Sequence, residues 1–142
     1  MATIKRFEDL DSWRAGRTLK QSVYTLTRKP EFSRDLPLVS QIRRAASSIT
    51  ANIVEGFERN GNREFISFLS ISKGSCGEIK DHLYTALDEN YITRPEFDHC
   101  YRLADEAGRL VGGFMRYLEQ SEMKGPKFFD RKQGSRTPNP KL

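Results

Sequence analysis

Apolar side chains recur every three or four positions along four long stretches of this chain, which predicts four amphipathic helices. The densest pattern lies in residues 41–59, QIRRAASSITANIVEGFER. Its small or branched apolar residues share one helical face: Ile42, Ala45, Ile49, Ile53 and Gly56. A polar strip borders this face and continues onto the next helix: Gln41, Arg44, Ser48, Asn52, Glu55 and Glu78. Small side chains allow a neighbouring helix to approach closely, so we expect the polar strip to hydrogen-bond across a helix–helix contact.

Proline, glycine and asparagine between these stretches set the helix boundaries. The predicted helices cover residues 7–27, 36–59, 63–89 and 93–121, with a loop over residues 29–35. Asn62 is placed to cap the third helix, and Thr93 with Glu96 spells a capping box for the fourth. Long helices joined by short loops predict an all-α, antiparallel up-down-up-down four-helix bundle over residues 1–121.

Two features of the third helix need a packing explanation. Gly74 and Gly77 each cost about 1 kcal/mol relative to alanine, and we expect close contact with the second helix to offset this cost. The apolar residues of 65–71 are too many for one core stripe. Large side chains are also expected near the stripe edges at Trp13, Phe57 and Phe114. These features fit either a broad core or a subunit interface.

A longer spelling runs through the second and third helices. Residues 41–56 read Q-I-R-R-A-x-x-S-I-x-x-N-I-x-E-G, and residues 64–78 read E-F-x-x-F-L-x-I-x-x-G-S-x-x-E. With Leu10, Trp13 and Leu19 upstream, the spelling resembles proteins first noticed as reading frames within intervening sequences of large-subunit ribosomal RNA genes. Relatives of that family include the accessory variability determinant of diversity-generating retroelements. The resemblance implies a four-helix bundle assembled as a ring-shaped homopentamer around a central channel, no catalysis, and a partner that is structured RNA or a reverse transcriptase complex.

Length and charge narrow the picture further. At 142 residues the chain is expected to form one domain, and its net charge of +5 is concentrated near one end. Residues 122–142 hold six basic and two acidic residues and are rich in proline and glycine, so we expect a disordered basic tail. No apolar run reaches bilayer length and residues 1–10 do not resemble a signal peptide, so a cytoplasmic location without membrane contact is expected by default. Cys76 and Cys100 occupy apolar helical positions, typical of reduced core thiols.

No set of residues forms a recognisable catalytic, cofactor or metal site, so no enzymatic activity and no cofactor are predicted. Glu96 and His99 have the spacing of a di-iron motif, but that motif must occur twice in such bundles. Glu55 and Glu78 could pair as acid and base, although a structural network with Asn52 is favoured. His82 fits a structural histidine beside the apolar stripe.

Basic residues suggest a nucleic-acid surface. Arg102, Arg109 and Arg116 recur every seven positions on the fourth helix, and Arg14 and Arg17 begin a looser row on the first. Tail residues complete the predicted binding set: Lys124, Lys127, Arg131 and Lys132. Each neutralised phosphate would release counterions, so binding of structured RNA or DNA would be salt-dependent. The alternatives are a solvated basic face, and a structural homo-oligomer that binds only proteins.

Overall fold

Five helices make up most of residues 4–121, the part of the chain that the computed structural model describes. A 3₁₀ turn at Phe7–Asp9 precedes them, and the helices are α1 (Asp11–Thr27), α2 (Pro30–Arg34), α3 (Leu36–Glu58), α4 (Asn62–Asp88) and α5 (Arg94–Gln120). Four of the helices are long, and residues 4–121 contain no strand. None of these helices has both the length and the apolar character that a bilayer crossing requires. The predicted tail, residues 122–142, lies outside the described part of the chain.

The four long helices form a bundle that is square in cross-section. α1 packs against α3 and α5, and α4 packs against the same two helices, so α1 and α4 lie diagonally opposite. Contacts along the α3–α4 pair show the chain direction. Ser72 lies at Ile49, whereas Phe65, earlier on α4, lies at Gly56, later on α3. Residue numbers therefore increase along α3 in the direction in which they decrease along α4, so the two helices are antiparallel. The predicted antiparallel helical bundle is confirmed.

The core contains the apolar face that the sequence predicts on α3. Ile42, Ala45, Ile49 and Ile53 are all buried. Two residues expected near the stripe edges are in fact central, since Phe57 and Phe114 are 1% and 0% exposed. Their rings pack edge-on against Phe65, with centroid separations of 6.3 Å and 5.1 Å. Much of the apolar excess therefore belongs to a broad core.

The first predicted helix ends at Thr27 as expected, but its start and the loop that follows it differ from expectation. Residues before Asp11 form a separate 3₁₀ turn because Leu10 is extended (φ −81°, ψ 127°) and fully buried. The predicted loop at 29–35 contains α2, which Pro30 starts in the N1 or N2 position, where a missing N–H costs nothing. Phe32 of α2 is fully buried and stacks on Tyr91, 5.4 Å between centroids, so burial of one ring holds this short helix.

Two helix caps were predicted, and one is correct. Thr93 and Glu96 form the complete capping box at the start of α5. Gly61, not Asn62, is the N-cap of α4, and its φ of +98° is readily adopted only by glycine. The Asn62 side chain instead donates to the Leu118 carbonyl at 2.9 Å, tying α4 to the end of α5.

The expected packing of the α4 glycines is wrong. A Cβ added at Gly74 or Gly77 would meet nothing within 4 Å, so neither glycine lies in a helix–helix contact within the subunit. Close approach between α3 and α4 occurs instead at Gly56, where an added Cβ would lie 2.6 Å from Cδ1 of Phe65. Ser72 and Ser75 face α3 in place of the glycines, because helical spacing turns each glycine away from the contact.

Candidate nucleic-acid interface

An open groove of about 650 Å³ lies between α4 and α5 and is called here the α4–α5 groove. Its floor is built largely from residues with little or no side chain, including Gly77, Gly108, Gly112 and Gly113. Basic residues from both helices line it: Lys73, Lys80, Arg109 and Arg116. Because glycine has no side chain, backbone atoms form much of the groove floor, and the basic side chains border it.

The α4–α5 groove carries more positive than negative charge. Asp105 is its one acidic lining residue, and it accepts from Lys80 at 2.9 Å and from Arg109 at 3.2 Å. These bonds, that of Lys80 foremost, hold the pKa of Asp105 below its usual value. Lys73 and Arg116 have no ion-pair partner within residues 4–121. The groove therefore presents two compensated and two uncompensated cations.

Cys76 lies in the wall of the same groove but is not an activated nucleophile. Burial raises the pKa of its thiol to about 11, although Lys80 and Lys73 oppose this rise. The thiol therefore stays protonated near neutral pH, when an activated cysteine would be a thiolate. Cys100 is also a free, buried cysteine, as the sequence predicts. Within residues 4–121, no three His, Cys, Asp or Glu side chains cluster as metal ligands.

A second basic groove, of about 540 Å³, lies beside α1 and reaches Thr50 of α3, and it is called the α1–α3 groove. It combines aromatic and basic side chains: Trp13, Arg17, Lys20, Tyr24 and Arg28. None of its lining residues is acidic. Because α1 and α4 are diagonal in the bundle, the two grooves lie on opposite sides of the subunit.

The basic residues predicted from sequence do not all reach these grooves. Arg109 and Arg116 line the α4–α5 groove and Arg17 lines the α1–α3 groove. Arg102 is exposed but lines neither. Arg14 bonds the Glu8 carbonyl at 2.9 Å and lies within 4 Å of two aspartates, so its charge is locally compensated. The four tail residues, Lys124, Lys127, Arg131 and Lys132, lie outside the described residues.

Sequence reasoning missed Lys73 and Lys80, which face the α5 arginines across the groove. Their seven-residue spacing matches that of Arg109 and Arg116, so the signal was present on α4. Recognising it required the register between the two helices, which the Lys80–Asp105 contact fixes. Lys20, in the α1–α3 groove, was also missed, although it lies one helical turn after Arg17 on α1.

The polar strip forms a smaller hydrogen-bond network than predicted. Ser48 accepts from Ser75 of α4 at 2.9 Å and from Asn52 at 3.0 Å, the expected contact across the two helices. Among residues 4–121, the Arg44 side chain donates a hydrogen bond only to nearby Ser40, at 3.4 Å. Gln41 is exposed at the solvent side of the strip.

The two strip carboxylates do not join this network. Glu55 and Glu78 are exposed rather than enclosed between helices, and they do not pair with each other. Glu55 binds Arg59 at 2.8 Å, and Glu78 lies 3.4 Å from the buried ring of His82. Both glutamates lie on the solvent-exposed surface of their helices, where water competes with protein groups for hydrogen bonds to the carboxylates. The acid–base pair considered from the sequence is therefore not formed.

Comparisons with known proteins agree with this architecture. The sequence profile of the family described as 23S rRNA-intervening sequence protein matches residues 8–113. A solved structure from Bacteroides thetaiotaomicron, titled a protein of unknown function from the S23 ribosomal protein family, superposes with a TM-score of 0.68. It is 20% identical, over 74% of this chain and 98% of that chain, so it supports the fold alone. No curated protein matches this sequence.

Proposed function

We propose that this chain, which belongs to the 23S rRNA-intervening sequence protein family, is a non-enzymatic scaffold that self-associates and binds structured RNA. RNA binding is assigned to the α4–α5 groove. A ring of five subunits is the assembly that the family resemblance implies. Engagement of a reverse transcriptase complex stays a prediction with no further support.

The uncompensated cations of the α4–α5 groove carry the RNA-binding proposal. Lys73 and Arg116 lack ion-pair partners in residues 4–121, and Lys80 and Arg109 share one aspartate. A ligand can approach the backbone closely at Gly77, which has open space around its Cα, whereas Lys73 and Arg116 lie beside Gly112 and would contact the same ligand. Phosphate groups are suitable ligands because lysine and arginine bind them by charge and hydrogen bonding without reading base sequence. A closed assembly would repeat the groove in every subunit and strengthen a weak individual contact.

The α3–α4 surface supports the self-association proposal. Ile71 is 53% exposed there, beyond the Ser48–Ser75 contact. Gly74, one turn further along α4, has open space around its Cα. An exposed glycine inside a helix is destabilising by about 1 kcal/mol. A helix from a second copy could approach closely at that position, and Ile71 would be buried by the same contact.

Charge reversal in the groove tests RNA binding. We expect the double variant Arg109→Glu/Arg116→Glu to bind a labelled structured RNA at least about tenfold more weakly than the native chain. Arg116→Ala should reduce the slope of log affinity against log salt by about one contact. Fluorescence anisotropy across a salt series measures both. The single variant Arg116→Glu is compared with the matched control Arg102→Glu, which makes the same charge change on the same helix outside the groove.

Two outcomes would contradict RNA binding through this groove. One is an absence of binding by the native chain at low salt. The other is an equal loss of affinity in Arg102→Glu, which would indicate only a general effect of net charge. Far-UV circular dichroism should show native helicity in each variant, because the substituted side chains are exposed.

Light scattering tests self-association directly. A pentamer would have five times the subunit mass of 16.4 kDa. We expect Ile71→Arg to lower the measured mass, whereas Leu36→Arg should not, although Leu36 is more exposed at 70%. Leu36 lies at the start of α3, away from the Ser48–Ser75 contact. A monomeric native chain at micromolar concentration would refute the ring.

A further inference from the structure

The α1–α3 groove has a composition that differs from that of the α4–α5 groove. Two aromatic side chains, Trp13 and Tyr24, line it together with Arg17, Lys20 and Arg28. These three cations have no ion-pair partner within residues 4–121, and no carboxylate lines the groove. Unpaired charge beside aromatic rings is the combination that proteins use to hold nucleotides outside a duplex, with bases on the rings and phosphates on the cations.

Each ring has a neighbouring side chain within the subunit, and the Arg17 guanidinium lies over the Trp13 ring, 5.9 Å from its centroid. Phe7 packs edge-on against Trp13 with 5.1 Å between centroids. The Arg43 guanidinium lies 4.2 Å from the Tyr24 ring centroid and donates to Thr27 Oγ1 at 2.9 Å, which fixes it in place. Support of this kind restricts ring motion before a ligand binds, so less conformational entropy is lost on binding.

We propose that the α1–α3 groove binds an unpaired segment of nucleic acid, with a base stacked on Trp13 or Tyr24 and its phosphates held by Arg17, Lys20 and Arg28. Both rings are half-buried, so a base must leave its own stack to reach them. A duplex can offer the groove only its backbone. The aromatic rings distinguish this ligand from an acidic peptide, whose carboxylates would use only the cations. This inference shares with the proposed function only the class of ligand, nucleic acid, because the α1–α3 groove is separate from the α4–α5 groove.

Trp13 provides a direct readout because it is the only tryptophan in the chain. The full-length protein is titrated with a short unstructured single-stranded RNA, and separately with a duplex of the same sequence, while tryptophan fluorescence is recorded. We expect the single strand to quench Trp13 and the duplex to quench it much less. Arg17→Ala/Arg28→Ala should weaken the single-strand titration, and Arg102→Glu, outside both grooves, should leave it unchanged.

Replacement of the rings tests stacking itself. Trp13→Phe retains an aromatic ring against Phe7, and Trp13→Leu removes the ring but keeps an apolar side chain. With labelled RNA, Trp13→Leu should bind roughly 5- to 150-fold more weakly than Trp13→Phe, the range that loss of one stacked base implies. Circular dichroism of both variants identifies any loss of folding. A Tyr24→Leu variant gives an independent measurement at the second ring.

Several results would overturn the inference. They are equal quenching by duplex and single strand, full affinity in the Arg17/Arg28 variant, and no difference between Trp13→Phe and Trp13→Leu. A change in Trp13 fluorescence with protein concentration but not with RNA would show that a second copy covers the groove. If structured RNA binds through Arg109 and Arg116 while single strands leave Trp13 unaffected, this inference alone fails. If Arg109→Glu/Arg116→Glu binds structured RNA as tightly as the native chain while single strands still quench Trp13, only the proposed α4–α5 site is refuted.

Discussion

Gly56 and Gly77 are both glycines inside long helices, but a methyl group would meet different surroundings at each. At Gly56 an added Cβ would lie 2.6 Å from Cδ1 of Phe65 and 3.1 Å from Cβ of Phe68. At Gly77 nothing lies within 4 Å of the same position. We therefore expect Gly56→Ala to destabilise the protein and Gly77→Ala to stabilise it.

The magnitude follows from two effects. Replacement of glycine by alanine inside a helix is favourable by about 0.5–1 kcal/mol at either site. At Gly56 this gain competes with overpacking, because Phe65 is fully buried and held by Phe57 and Phe114. Forcing an extra methyl into a packed core costs about 1–3 kcal/mol. Helix propensity is common to both variants, so the difference between their unfolding free energies measures the overpacking cost alone, about 1–3 kcal/mol.

Urea denaturation followed by far-UV circular dichroism measures these free energies. All samples need the same protomer concentration, because any self-association adds a concentration-dependent contribution to stability. The slope of unfolding free energy against urea should be similar in all three proteins, which would show that the same surface is exposed on unfolding. Gly56→Ala as stable as Gly77→Ala would refute the proposed tight contact between α3 and α4.

Three further predictions concern a surface ion pair and two buried hydroxyls. Lys29 binds Glu96 at 2.6 Å and is the main reason that the pKa of Glu96 lies below its ordinary value of 4.5. Because folding lowers this pKa, the ion pair contributes its full stabilisation above pH 4.5 and loses it as the pH falls through the pKa of the folded protein. Glu96→Gln should therefore lower the free energy of unfolding by at most about 1 kcal/mol at neutral pH. Denaturation curves of the variant and the native protein that differ equally in acid would contradict this. Ser72→Ala removes a 2.9 Å bond to the Ile49 carbonyl and should cost about 0.5–1.5 kcal/mol. Ser12→Ala removes a buried hydroxyl that has no hydrogen-bond partner among residues 4–121, so its thermal midpoint should equal or exceed the native value, and a midpoint clearly below the native one would count against this.

Hydrophobic periodicity predicts the fold well because each long helix buries one stripe. Ile49 and Ile53 are fully buried as their spacing predicts. Periodicity fails where a single contact decides the structure. The short helix α2 is stabilised by packing of Phe32 on Tyr91, a residue far along the chain, and no local sequence pattern specifies that pair.

The site residues were harder to predict because a helical face does not identify its neighbour. Spacing places Gly56 and Gly77 equally well at a helix contact, but only Gly56 faces another helix. Arg109 was predicted as a basic surface residue, whereas its groove partner Lys80 was not. The register between α4 and α5 brings both side chains to Asp105, and the sequence of a single helix does not specify that register. Charge patterns on single helices therefore identify half of such a groove.

The arrangement of the four long helices constrains how the proposed ring could form. A ring of identical subunits uses two different surfaces on each subunit, one for each neighbour. If the α3–α4 side with Ile71 is one of these surfaces, the opposite side of the square is formed by α1 and α5. That side has a groove in which Leu26, Pro95 and Leu103 lie among polar residues, and these three side chains could contact an exposed isoleucine.

These two contacts would leave the α1–α3 and α4–α5 sides uncovered, and those are the sides that carry the two basic grooves. One groove would then face the central channel and the other the outer wall. A ring closed in this way could hold structured RNA on one side and an unpaired segment on the other. The uncompensated charge on both grooves is consistent with surfaces that stay free of protein contacts, because burial of unpaired cations between subunits would be costly.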